Sequence, residues 1–412
     1  MPLSVLAATP SGRVRPPVSK SILHRTLFAL ALVGEEKSLP LDSLSADAKD
    51  TLSVLGALGM AHRYRDGVLR LFPSKPTKRV QVRASATSLR MGLPLLAAVG
   101  WQGELRLGAQ LAARPHAPLV ETLVAHGYRV RGTERCWHLE GKLQPGMFHV
   151  ETAKTSQYLS GLLMALPLLS APSEICCSRG VSSGYVEMTL AQMASHGVEV
   201  VPTPNGYRIM PAVYRSGEVS LEADWSAAAF WLGWAAMRGE VRLLGLRRES
   251  LQPDSIVETW LGQMGAKVEW QHAHEGDVLC LCRQALVAGR FDFAENPDLF
   301  PIMAVVCAAA EGTSTLTGLE GLAYKESDRL RGVLDMLDGL GVSYLLQEGK
   351  LVVHGGAWRG ATLRGRQDHR LVMAGAVALS CVGGSLTTPS AVAKSYPDFW
   401  KDYQALGGKL CD

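Results

Sequence analysis

Six stretches of this chain are apolar almost all the way round a helix, and they recur. They read SKSILHRTLFALALVG, SATSLRMGLPLLAAVG, KTSQYLSGLLMALPLLS, DWSAAAFWLGWAAMRG, PDLFPIMAVVCAAAEG and QDHRLVMAGAVALSCVGG. Their ends fall at Gly34, Gly100, Ser170, Gly239, Gly312 and Gly383, at steps of 66, 70, 69, 73 and 71 residues. A helix with no polar face has no side to turn to water, so all six are predicted in the interior.

A second series is interleaved with the first. Amphipathic helices end at Gly59, Gly127, Gly197, Gly265, Gly341 and Gly407, at steps of 68, 70, 68, 76 and 66 residues. Several of the segments that follow alternate like strands, as in LVAHGYRVR and LDGLGVSYLL. Glycine just past a helix end takes the left-handed conformation that closes the helix. The chain therefore reads as an α/β protein of six units, each with two helices and several short strands. A repeat this long is longer than common solenoid periods and suits three units in each of two globular domains. The predicted division is residues 1–18 with 225–412 as one domain and 19–224 as an inserted one, so that the N-terminal strand belongs with the C-terminal half.

Composition narrows the function. Of 412 residues 47% are apolar, enough for large cores, and the net charge is only +4 with no Lys/Arg run longer than two. Nucleic acid is not expected as a partner, because backbone binding needs a concentrated basic face. No apolar run approaches the ~20 residues that span a bilayer. The N-terminus lacks a basic region followed by a long apolar stretch, so neither a signal peptide nor a membrane partner is expected. The eight cysteines form no CxxC pair and read as reduced thiols of a cytoplasmic protein rather than a metal site. Neither a metal nor a cofactor is expected, and a monomer is.

Polar residues crowd the starts of the buried helices. Lys20-Ser21 is followed by Arg25 on the same face, Thr87 by Arg90, and Thr155-Ser156-Gln157 puts three short donors in a row. Pro297-Asp298 and Asp368-His369-Arg370 open two more. Ser, Thr and Asp are ordinary N-caps, so each start alone is weak. A helix N-terminus carries free N–H groups and partial positive charge, however, and several aimed at one cleft would hold an anion. Lys325-Glu326-Ser327-Asp328-Arg329 poses the same choice between a solvated face and a site that grips an anion and moves protons. His24 and His369 are expected to be structural.

At these residues the chain resembles the 5-enolpyruvylshikimate-3-phosphate synthase family. PPVSKSILHR is similar to that family's LPGSKSxSxR segment, and AARPHAPLVETL, KTSQYLSGLLMALPLL, KESDRL, QDHRLVMAGAVAL and AKSYPDFWKDYQALG follow in family order. The resemblance implies two domains of three βαβαββ-type units each, closing on an inter-domain active-site cleft. It implies transfer of the enolpyruvyl group of phosphoenolpyruvate to the 5-hydroxyl of shikimate 3-phosphate, with release of phosphate. Lys20, Ser21, Arg25, Thr155, Ser156, Gln157, Ser182, Tyr185, Asp298 and Lys325 match positions that bind shikimate 3-phosphate. Lys20, Arg90, Arg114, Gln157, Arg329, Arg370 and Lys394 match positions that bind phosphoenolpyruvate. Lys20, Asp298 and Glu326 match the acid–base groups, and Asp328 is expected to orient the neighbouring cations.

These residue types suit the chemistry. Two anionic substrates need many cations, and Arg binds carboxylate and phosphate through two parallel hydrogen bonds. A carboxylate such as Asp298 can take the hydroxyl proton, and Glu326 or Lys20 can protonate the vinyl carbon. The family's NAGT turn is here Ala84-Ser85-Ala86-Thr87. The resemblance thereby loses an Asn amide and gains a methyl at Ala86, which implies low sensitivity to glyphosate. A family Asn is also replaced by Gly321. Two alternatives stand beside this reading. One is a homologue that binds shikimate 3-phosphate without turning it over. The other is transfer to UDP-N-acetylglucosamine, whose family generally carries a Cys or Asp where this chain has AQLAA before Arg114.

Overall fold

The roughly 70-residue period encodes a repeated sheet. The computed structural model describes residues 2–152, 155–177, 183–273 and 276–411. Among the described residues five sheets have four strands and one has three. In four of the four-stranded sheets the first two strands are parallel and the fourth lies between the second and the third; in the fifth, Ala361–Leu363 and Gly384–Leu386 are parallel and the N-terminal strand Leu3–Leu6 takes the inner place beside Lys409–Cys411. Arg79–Val82, Gly103–Leu107, Tyr128–Gly132 and Cys136–Gly141 show the pattern, with Val80 opposite Leu105 in parallel and Leu105 opposite Trp137 in antiparallel register. Parallel neighbours need a crossover, and the apolar helix Ala86–Ala98 supplies it. An amphipathic helix then leads into the antiparallel pair. Its closing glycine has positive φ in every unit, for example +76° at Gly341, whose N–H bonds back to the helix carbonyls of Leu337 and Asp338.

The chain divides into two compact bodies, Met1–Ser19 with Glu222–Asp412, and Lys20–Leu221. In the first body the chain's N-terminal segment completes two sheets. Leu3–Leu6 lies between Gly384–Leu386 and Lys409–Cys411, antiparallel to both. Arg13–Val14 runs parallel to Glu240–Leu244 and serves as the first strand of a unit whose other elements begin 200 residues later. The segments that enter and leave this body are tied together: Ser19 N–H donates to Glu222 O, and Val18 bridges Ala223.

Three apolar helices form the centre of each body. In Lys20–Leu221 they are Lys20–Val33, Ala86–Ala98 and Gln157–Ala165. In the other they are Trp225–Arg238, Phe300–Ala309 and His369–Val382. Glycine sets the closest approach: a Cβ on Gly161 would lie 2.5 Å from the Arg90 carbonyl oxygen and 2.8 Å from Met91 Cα, both backbone atoms. In the other body Trp231 stacks on Phe399 and Trp234 on Tyr403, each with ring centroids 4.8 Å apart, docking the helix Phe399–Ala405 on the tryptophan helix. Among the described residues no helix is long and apolar enough to cross a membrane.

The contact at Gly161 joins the helices that carry Arg90 and Gln157. Gly161→Ala forces a methyl against backbone, at a cost of about 1–3 kcal/mol. Scanning calorimetry on this variant is expected to show a melting point lower by roughly 3–10 °C. An unchanged melting point would mean the helices separate freely.

Candidate active site

In the body Lys20–Leu221 the first helix brings its cations against fixed partners. Lys20 Nζ lies 3.1 Å from Asp47 Oδ2, and Asp47 is buried in the first turn of the helix Ala46–Ala57. Arg25 is buried and fully engaged. Its Nε donates to Thr189 Oγ1 (2.8 Å), Nη1 to the Ser21 carbonyl (2.8 Å), and Nη2 to the Tyr185 carbonyl (2.8 Å) and Ser160 Oγ (3.5 Å). Every hydrogen-bond acceptor it meets among the described residues is neutral. Burial pulls its guanidinium down to about 10, which leaves it charged at neutral pH. A buried cation held by neutral groups is a standing attraction for an anion.

A second group links two further helix starts. Gln157 receives Arg90 Nη1 on its Oε1 (3.0 Å) and donates Nε2 to Thr87 Oγ1 (2.9 Å). Arg90 also donates to the Pro115 carbonyl (3.0 Å) and sits 5.3 Å over the Tyr158 ring. Arg114 follows the short helix Ala109–Ala112 and is half-buried. Of the donor run, Thr155 accepts the Gln157 N–H on its hydroxyl (3.2 Å), while Ser156 is buried and makes no cap bond through its side chain. Tyr185 contributes its carbonyl to Arg25. Ser182 lies outside the described residues.

The Ala84-Ser85-Ala86-Thr87 turn is held without an Asn amide. Asp50 Oδ2 accepts the N–H groups of Ala84 (2.8 Å) and Ser85 (2.9 Å), and Ser85 Oγ caps Ser88 N–H (3.1 Å). Burial pushes the Asp50 carboxyl up, and these backbone bonds oppose the shift. Ala86 is buried, and Ser88 points inward to Thr51 (2.7 Å) and the Asp47 carbonyl (3.2 Å). His24 Nδ1 meets Thr51 Oγ1 at 2.5 Å; burial lowers its pKa to about 3, so it is a neutral structural group.

In the body Met1–Ser19 with Glu222–Asp412 the charges converge on Arg329. Its guanidinium is 1% exposed and meets three carboxylates: Asp298 Oδ1 at 2.5 Å, Glu326 Oε2 at 2.6 Å and Asp368 Oδ2 at 2.9 Å. Arg370 Nη2 takes the other oxygen of Asp298 (2.7 Å), and Lys394 Nζ the other oxygen of Glu326 (3.2 Å). Burial alone would lower the pKa of Arg329, but Asp368, Glu326 and Asp298 more than reverse it, so the group is held firmly charged. Lys325, half-buried, precedes Glu326 at the end of the short helix Glu320–Tyr324. Gly321 has open space where a side chain would stand. His369 is fully buried.

The expected role of Asp328 is not the one observed. It is exposed and accepts Arg331 N–H (3.0 Å), capping the helix Arg329–Leu340. Asp368 orients Arg329 instead, while its second oxygen caps its own helix through Arg370 N–H (2.9 Å). Sequence reasoning gave no role to Asp368, Asp47 or Asp50. Each occupies a position where Asp is an ordinary cap or surface residue, and only burial sets it apart.

The two aspartates are expected to fail differently. Asp368→Ala leaves part of a buried guanidinium uncompensated and should cost about 3 kcal/mol. Asp328→Ala loses an exposed cap worth about 1 kcal/mol. Denaturant midpoints of both variants check this; equal losses would contradict the assignment of Asp368 as the anchor.

Comparison with known proteins adds the lineage. The family described as EPSP synthase (3-phosphoshikimate 1-carboxyvinyltransferase) matches residues 7–403. The chain is 33% identical to the 3-phosphoshikimate 1-carboxyvinyltransferase of Methanocorpusculum labreanum, over 100% of this chain and 99% of that protein. It is 35% identical to the protein of the same name from Aeropyrum pernix, over 98% and 95%. Among solved structures, an EPSP synthase from Acinetobacter baumannii matches with a TM-score of 0.82 at 21% identity, over the whole of both chains. The enolpyruvyl transferase NikO from Streptomyces tendae matches with 0.75 at 18% identity, over 100% of this chain and 98% of that one. At such identities the two structures speak to the fold alone, and the fold is that of the enolpyruvyl transferases. The sequence match over nearly the full length carries the rest: this chain belongs to the EPSP synthase family.

Proposed function

We propose that this protein transfers the enolpyruvyl group of phosphoenolpyruvate to the 5-hydroxyl of shikimate 3-phosphate and releases phosphate. The observation that carries the reading is the Arg329 cluster, in which two carboxylates able to move protons, Asp298 and Glu326, share one buried cation. Arg370 and Lys394 extend it, so positive groups lie beside both proton-moving groups. Preorganised charge of this kind stabilises charge that develops during reaction.

In this reading Arg25, Ser21, Lys20, the Thr155-Ser156-Gln157 run, Ser182, Tyr185 and Lys325 bind shikimate 3-phosphate. Arg90, Arg114, Arg329, Arg370 and Lys394 bind phosphoenolpyruvate, with help from Lys20 and Gln157. Asp298 takes the proton of the 5-hydroxyl as its oxygen attacks C2. Glu326, or Lys20, adds a proton to C3. Loss of a C3 proton with departure of phosphate from C2 then restores the double bond. Asp298 and Glu326, linked through Arg329, and Lys394, paired with Glu326, argue against a homologue that only binds. The absence of Cys or Asp from Ala109–Ala113 argues against UDP-N-acetylglucosamine as acceptor.

Purified protein is expected to release phosphate from phosphoenolpyruvate with shikimate 3-phosphate and not with UDP-N-acetylglucosamine. Asp298→Ala should lose roughly 10²- to 10⁴-fold in turnover, the usual contribution of one acid–base group, while still binding shikimate 3-phosphate in calorimetry. Tight binding with no turnover by the wild-type protein would establish the silent homologue; near-normal turnover by Asp298→Ala would remove it as the base.

A further inference from the structure

One buried acid beside this cluster has no part in the reading above. Asp254 lies in the short turn Pro253–Ser255 and is 1% exposed. Its Oδ2 accepts the Ser226 hydroxyl, and its Oδ1 accepts Asn296 Nδ2 at 3.2 Å. Asn296 is itself buried, two residues before Asp298. The Asn296 N–H donates to Phe293 O (3.2 Å), and its carbonyl accepts Leu299 N–H (3.0 Å). The Asn296-Pro297-Asp298 turn is thus closed at both ends and gripped from the side by Asp254.

The charged groups facing Asp254 come from two other elements. Asp298 comes from the segment before the helix Phe300–Ala309, and Arg370 from the first turn of His369–Val382. The helix Trp225–Arg238 offers only the Ser226 hydroxyl, while its cap, Asp224, acts on Arg370. Burial pushes the Asp254 carboxyl up to about 6, the charge of Asp298 adds to this, and Arg370 pulls it back.

Geometry alone does not call for an acid here. An Asn at this position would keep the Asn296 bond through its oxygen and donate its amide to the Ser226 hydroxyl, which also accepts. The sign of the stability effect points the same way. A carboxyl raised by burial favours the folded state below its ordinary value near 4, and that contribution is lost as pH rises through about 6. The charged form at neutral pH is therefore a cost that the fold could have avoided, which points to a use for the charge.

We propose that Asp254 is a positioning residue for the reaction, aiming Asp298 through Asn296 and adding its negative charge to that of Asp298 in the surroundings of Arg370. This rests on the role of Asp298 as base. When Asp298 takes up the hydroxyl proton it becomes neutral, and Arg370 loses that counter-charge. Asp254 remains an anion whose charge reaches Arg370 and makes the protonated Asp298 less costly to reach. Protonation of Asp254 at lower pH removes that support.

The test is the pH profile of steady-state turnover for the wild-type protein and Asp254→Asn, with Asn296→Ala as a second variant. The wild-type kcat is expected to fall below pH about 6. Asp254→Asn should be slower at pH 8 by about tenfold, as for a change of one unit in the basicity of Asp298, and should lack that acid step. Its KM for both substrates should stay within about twofold, since only a transition-state term is lost. Asn296→Ala should lower kcat while keeping the acid step, because Asp254 is still present to titrate. Wild-type turnover and an unchanged acid step in Asp254→Asn would overturn the proposal and leave the proposed function standing. So would a loss confined to KM. A wild-type protein with no turnover at any pH would remove the proposed function, and this inference with it.

Discussion

A guanidinium with almost no contact with water must have its charge answered by protein, and Arg329 makes that demand on half of this chain. Three elements answer it: the segment before the helix Phe300–Ala309 with Asp298, the turn before Arg329–Leu340 with Glu326, and the cap of His369–Val382 with Asp368. Removing water from such a group is expensive unless partners are close and well aligned, so those three helix starts are tied to one point. The repeated unit makes this possible. Four of the apolar helices run between parallel strands, and the polar residues at the helix starts carry the charged and hydrogen-bonding groups of the site.

The other body handles its buried cation differently. Arg25 meets hydroxyls and carbonyls rather than carboxylates, so its charge is oriented without being neutralised. Such a group suits a substrate that brings its own negative charge. Arg329, already balanced, suits chemistry in which carboxylates must shed or gain protons without losing their place. In the proposed function the same residue type thus binds an anion from neutral partners in one body, and in the other binds phosphoenolpyruvate while balancing the carboxylates that move protons.

The apolar helices and their glycine steps were legible because they are local: a stretch without a polar face, closed by a residue that tolerates positive φ. Sheet completion was legible only in outline. Nothing in LSVL or in Arg13-Val14 says which of many strands each will pair with, since that choice depends on contacts hundreds of residues apart. Within the site, the cations and the carboxylates Asp298 and Glu326 were found through family motifs, whereas the supporting carboxylates Asp368, Asp47 and Asp50 were not. Asp368, Asp47 and Asp254 stand beside or within helix starts, where Asp is common for reasons unrelated to function. Asp328 misled for the converse reason: it lies next to Arg329 in the sequence, yet the first helical turn carries its side chain to its own backbone. The Ala84–Thr87 turn shows a third limit. Its backbone N–H groups are held by Asp50, which the sequence placed 34 residues away.

The claim that most needs direct measurement is that Arg329 is the shared partner of the reacting carboxylates and holds phosphoenolpyruvate. Calorimetric titration of Arg329→Lys, which keeps the charge and loses the planar fork, separates the alternatives. The account predicts unchanged binding of shikimate 3-phosphate and at least about a tenfold loss for phosphoenolpyruvate added to that complex, the loss of roughly one charge-assisted hydrogen bond. Equal weakening of both ligands, or normal binding of phosphoenolpyruvate, would contradict it.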